Sequence, residues 1–311
     1  MSGLSKTRTS ATFRKNCLYS CQANNSKPCI HYLSNLMLIE EKALIHWIGN
    51  FYGYGSWHAR FWFIAYEEGG GEVPEEVAEK VNYFYKGQAP TAGGTLCDIR
   101  ELYKHVAIRW DGPKAGLFAN RYEYRFDTNA IQHGVWKNLI AFLHGYKNEK
   151  IPDLLAYQKQ TFASPSGHNE ALIRLYPLPA PHSHAWYYNW LDLPQLGFLK
   201  SRTLYQEHVY QRRIRSILSN ISTYKPEVVL MYGMDNINKL KKSIQEFFHG
   251  AKFKMIKATK RQIPQHHRAD LDGTTMLITT QIPALRHNRI ETGFDWEEFG
   301  KRVRSETSWQ I

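Results

Sequence analysis

The chain has 311 residues, 43% of them hydrophobic and 14% aromatic, and a net charge of +12. That composition is globular and large enough for a sizeable core, which excludes a disordered chain. No apolar run approaches the roughly 18 residues a membrane span needs, so no membrane partner is expected.

Four cysteines, Cys17, Cys21, Cys29 and Cys97, argue against a disulfide framework. No apolar segment follows the basic N-terminus, so a cytoplasmic protein is expected. The charge is uneven. Residues 1–39 hold five basic and no acidic groups, and residues 200–268 hold 15 basic against four acidic. Such clustering suits a face that meets a polyanion, and nucleic acid is the expected partner.

Residues 1–35 read as a basic arm and 36–311 as a single α/β domain. Leu36 to Ile48 has apolar residues at helical spacing. Phe61 to Tyr66 is a strand-like run that ends at Glu67-Glu68-Gly69-Gly70-Gly71. Pro74 with Glu75 and Glu76 marks a helix start. Further helices are expected at 97–108 and 134–146, and a strand at Ala171 to Tyr176 is stopped by Pro177 and Pro179. Leu204 to Ile221 reads as a basic helix and Glu227 to Tyr232 as a buried strand. A helix capped by Asp235 follows, with Ile237, Leu240, Ile244 and Phe247 on its face. Strands at Phe253 to Ala258 and Thr274 to Ile282 come next, and Asp295 with Glu298 forms a capping box for a closing helix. The alternation predicts a three-layer α/β/α sandwich around a mainly parallel, four-stranded sheet.

Ligands in such sheets bind beyond the carboxyl ends of the strands. Three of those ends stand out: Ala65-Tyr66-Glu67-Glu68-Gly69, Tyr176-Pro177-Leu178-Pro179 and Ile282-Pro283-Ala284-Leu285-Arg286. In position and element order they resemble the uracil-DNA glycosylase superfamily over roughly residues 55–305. Its first motif takes forms such as Gly-Gln-Asp-Pro-Tyr and its last such as His-Pro-Ser. The resemblance implies a monofunctional DNA glycosylase that flips a base from DNA, hydrolyses its N-glycosidic bond and leaves an abasic site.

By that resemblance Glu67 takes the place of the residue that handles the attacking water, with Glu68 as the neighbouring candidate. A carboxylate there suits the chemistry, because cleavage builds positive charge on the sugar. Tyr66, Gly69, Arg174, Tyr176, Ile282 and Pro283 would line the substrate pocket. Leu285 falls where related enzymes insert an apolar wedge into the duplex. Arg286, His287, Arg289, Lys257, Lys260, Arg261 and Arg268 would hold the DNA backbone. Glu68 replaces a usual proline and Ile282 a histidine. Arg174-Leu175-Tyr176 replaces the strand end that normally carries a uracil-reading asparagine.

These departures point to a non-standard base, such as a bulky modified cytosine, and to a role in defence against phages with modified DNA. No cofactor or metal is expected, and the protein is expected to be a monomer. Two other readings stay open: a catalytically silent DNA- or RNA-binding module, and a metal-dependent nuclease using His182, His184, His266, His267, Asp270 and Asp272.

Overall fold

The computed structural model describes residues 39–71, 73–87, 95–108, 116–180, 186–191, 193–259, 262–284 and 293–307. The basic arm with Cys17, Cys21 and Cys29 lies outside them. In chain order the first elements are α1 (Glu41–Asn50), β1 (Phe51–Tyr54), β2 (Phe61–Glu67), α2 (Pro74–Gly87), β3 (Thr95–Cys97) and α3 (Ile99–Lys104). Then come α4 (Arg121–Phe126), α5 (Gly134–Lys147), α6 (Leu154–Gln160), β4 (Glu170–Tyr176), α7 (Arg202–Tyr224) and β5 (Val228–Tyr232). The last are α8 (Ile237–Phe247), β6 (Lys254–Ile256), β7 (His266–Leu271), β8 (Thr274–Ile278) and α9 (Trp296–Ser305).

The chain is α/β, but its sheet is larger than expected. Among the described residues, eight strands run in the order β3-β1-β4-β2-β5-β8-β7-β6. The pairs β4–β2, β2–β5 and β5–β8 are parallel, whereas β1–β4, β8–β7 and β7–β6 are antiparallel, so the sheet is mixed. The expected helix over 97–108 is replaced by β3 and a short α3, because Asp98 caps the helix by accepting from Arg100 N at 2.8 Å. Asp295 does cap α9, accepting from Glu298 N at 3.0 Å. The cap of α8 is Asn236, not Asp235: its Oδ1 accepts from Lys239 N at 3.0 Å.

β2 is apolar on both sides, as a strand covered on both faces must be. Phe61 and Phe63 meet Tyr146 and Phe142 of α5, and Trp62 meets Tyr224 of α7. α5 and α9 lie backbone to backbone. A Cβ on Gly145 would stand 2.1 Å from Glu297 O, and one on Gly300 2.1 Å from Phe142 O, so only glycine allows this contact. No described helix is long and apolar enough to cross a membrane.

At the amino end of β4, Glu170 is buried and accepts from Ala163 N at 2.9 Å and Tyr157 Oη at 3.0 Å. Burial pushes its carboxyl up to about 7, with those two hydrogen bonds opposing. An unfolded glutamate titrates at about 4.3. The folded state therefore holds this proton more tightly, and its contribution is present below the unfolded value and lost as pH rises to about 7. Glu170→Gln should remove that slope, so denaturant midpoints at pH 5 and pH 8 should show the variant gaining on the parent at the higher pH. An equal difference at both pH values would contradict this.

Candidate active site

A ligand crevice in an open α/β sheet opens where successive connections leave to opposite sides. Here the chain leaves β2 toward β3 on one side and leaves β5 toward β6 on the other, so the crevice falls between β2 and β5. The register keeps the carboxyl ends of β2, β4 and β5 level, pairing Glu67 with Tyr176 and Ala65 with Tyr232. Beside them lies a partly open cavity of about 180 Å³, walled by Tyr66 and Tyr176 from the strands, Gln206 and Tyr210 from α7, and Asn236 and Lys239 at the start of α8.

Strand alternation sends the two neighbouring carboxylates to different fates. Glu68 is 1% exposed. Its Oε1 accepts from Tyr54 Oη at 2.7 Å and Lys80 Nζ at 3.2 Å, and its Oε2 accepts from Arg174 Nε at 2.5 Å. Burial would raise this carboxyl, but Arg174 and Lys80 outweigh it and hold Glu68 below its ordinary value. With both oxygens committed to buried cations, Glu68 is a structural anchor. Its backbone serves the same end, donating to Tyr176 O and accepting from Ala180 N.

Glu67 is 15% exposed and has room to act. Its Oε1 accepts from Gln206 Nε2 at 2.8 Å, and Arg202 Nη1 stands 3.6 Å from its Oε2. Burial raises this carboxyl, Arg202 and the Gln206 hydrogen bond oppose, and the negative charge of Asp235 adds to the rise. A half-buried carboxylate with raised proton affinity is suited to take a proton from water. Burial, Asp235 and Glu67 likewise push the Tyr66 phenol up, so it stays a neutral donor.

The other expected residues divide. Tyr66 and Tyr176 wall the cavity and meet edge to face, with ring centroids 5.0 Å apart. Gly69 is exposed on the turn between β2 and α2. Arg174 is a correction: it is 7% exposed and tied to Glu68, because its strand position turns it inward, so it does not line the pocket. Ile282 and Pro283 also stand off the cavity wall. Ile282 packs over Gly233, where a Cβ would meet its Cγ1 at 3.0 Å, and buried Pro283 gives its carbonyl to Asn138 Nδ2.

Among the backbone-holding candidates, Leu285, Arg286, His287, Arg289, Lys260 and Arg261 lie outside the described residues. Lys257 is exposed and free to meet a phosphate. Arg268 is not. It is 6% exposed and donates to Val303 O, Glu306 O and the Asp270 carboxylate, a tie between β7 and the end of α9. Arg268→Ala should cost on the order of 2 kcal/mol or more of stability while leaving any nucleic-acid affinity intact. Loss of affinity at unchanged stability would restore its contact role.

Among the described residues the nuclease set does not converge either. His266 is buried against Phe299 with Nδ1 on Pro264 O, Asp270 is held by Arg268, and Asp272 pairs with Lys225 at the surface. His182 and His184 lie outside the described residues.

Gln206, Arg202, Asp235, Asn236 and Lys239 escaped the sequence reading. The first two sit in a helix whose spacing announces only a basic amphipathic segment. Asp235 looked like a cap, and since Asn236 takes that role Asp235 turns to Tyr66 and Glu67 instead. The signal was there: two adjacent side chains able to cap, with only one cap to fill. No family model matches the chain, and no curated protein matches it.

Proposed function

We propose that this chain is a DNA glycosylase of uracil-DNA-glycosylase-like fold, acting on a non-standard base. The observation that carries this reading is Glu67, a half-buried carboxylate at the crevice between β2 and β5, beside a cavity with tyrosine walls. A duplex base must leave the stack to be reached. In this reading it enters the cavity between Tyr66, Tyr176 and Tyr210, with its sugar over Glu67. Glu67 steadies the positive charge that grows on the sugar and accepts a proton from water. The water oxygen bonds to C1′, the N-glycosidic bond breaks, and its electron pair leaves with the base, which Lys239 faces across the cavity wall.

Arg174 is committed to Glu68 and cannot bond a base substituent. The amides at the cavity, Gln206 and Asn236, come from α7 and the turn before α8. Uracil is therefore compared directly with hydroxymethylcytosine and its glucosylated form, in otherwise identical DNA with EDTA present. Alkali-labile sites in a modified-cytosine DNA support the proposal and the defence role. Release of uracil alone restores an ordinary repair role, and strand binding without base loss leaves only a binding module.

Affinity in this reading comes from phosphate contacts, and the exposed cations Arg212, Arg215, Lys242, Lys254 and Lys257 supply them. The basic count in 200–268 overstates that face, because Arg213 and Arg268 are buried. Log affinity should fall with log salt, by roughly one power per phosphate contact. A flat response between low and physiological ionic strength would contradict a phosphate-dominated interface.

A further inference from the structure

Glu67 ends its strand, so the pleat alone does not fix where its carboxylate points. One amide does. Gln206 Nε2 donates to Glu67 Oε1 at 2.8 Å, and Gln206 Oε1 accepts from Tyr66 Oη at 3.3 Å. Turning the amide over would set its carbonyl against the carboxylate and lose that bond, so the contact with Glu67 determines its orientation. Gln206 also belongs to the cavity wall, which makes it the physical link between the carboxylate and the space a substrate would occupy.

We propose that Gln206 is the positioning residue of this site: it aims the Glu67 carboxylate and, through Tyr66, registers it against the cavity. The reaction it would serve rests on the glycosylase reading, whereas the hold on Glu67 does not. Other groups also face Glu67: Arg202 and Tyr205 from α7, Tyr66 from its own strand, Tyr176 from β4, Tyr188 from the 3₁₀ helix Tyr187–Trp190, and Asp235 beyond β5. Of these, Arg202 favours the ionised carboxylate through its charge, and Asp235 opposes it. Gln206 gives the ionised form a direct hydrogen bond in a half-buried place, where such a bond counts for more than it does in water.

Gln206→Met keeps the length and removes the donor. Gln206→Asn, too short to reach Glu67, makes the same test should methionine unfold the chain. The Glu67 carboxyl is titrated by carbon-13 NMR in the full chain, in the parent, in these variants and in Gln211→Met, an exposed change on the same helix. Base release is followed over the same pH range. The Glu67 midpoint should rise in the Gln206 variants and stay put in Gln211→Met. The acid limb of the kcat profile should move up with it, and kcat should fall about 10²-fold with KM little changed, as expected for a displaced reacting group. An unmoved Glu67 midpoint overturns the proposal, and so does a loss of kcat with an unmoved acid limb. A parent protein that releases no base from any DNA contradicts the glycosylase reading, and the titration then decides the role of Gln206 by itself.

Discussion

Glu68→Gln should destabilise the fold by about 3–5 kcal/mol, the cost of leaving a buried ion pair half made. The substitution is nearly isosteric, so packing changes little and the loss is electrostatic. It strands two cations at once: Lys80 is 2% exposed and Arg174 8%, and both reach Glu68. These three groups sit under the turn that leaves β2 and the strand that pairs with it, so the damage falls on the sheet centre. Glu68→Gln combined with Lys80→Met should cost less than the sum of the two single changes, because the second removes a charge the first left bare. Denaturant midpoints with unchanged slope would report this. Additive losses would show that the pair is not coupled. The sign with pH is opposite to that of Glu170. The folded state holds Glu68 below its ordinary value, so its contribution is present above the unfolded value and lost as pH falls through the folded one.

Glu67→Gln should leave that stability nearly intact and abolish chemistry. Its side chain has one hydrogen bond, from Gln206, and glutamine's own carbonyl can accept it. What disappears, in the glycosylase reading, is the negative charge proposed to lie under the sugar and the proposed proton acceptor for water, together worth about 10²–10⁴ in rate. DNA affinity, which the proposal assigns to phosphate contacts, should change little. Full activity in Glu67→Gln together with loss in Asp235→Asn would move the carboxylate role across the crevice to Asp235, which faces the same phenol.

The legible part of this protein was its central α/β alternation, because β2, β4, β5 and β8 are apolar runs with turn residues after them. Of the flanking strands β6 was read within Phe253 to Ala258, whereas β1 and β7 were hidden for physical reasons. β1 follows α1 with no turn between them, so nothing marks its four residues as a separate strand. β7 places His266 and Arg268 at inward positions, where an alternating pattern would show apolar residues. In the site, the carboxylate pair after β2 could be picked out, but not the division of labour within it. That depends on Arg174 turning inward from a strand more than a hundred residues away, a partnership no local spacing announces. Gln206 is hidden for the same reason: only the packing of α7 on the strand ends brings it to Glu67.

The most direct measurement is single-turnover release of free base, identified by mass, from DNA containing modified cytosine, with EDTA present, for the parent chain and Glu67→Gln. The account predicts a free base and an intact, alkali-labile strand from the parent, and a rate lower by at least about 10²-fold from the variant. Strand breaks without free base, or equal rates from the two proteins, would contradict it.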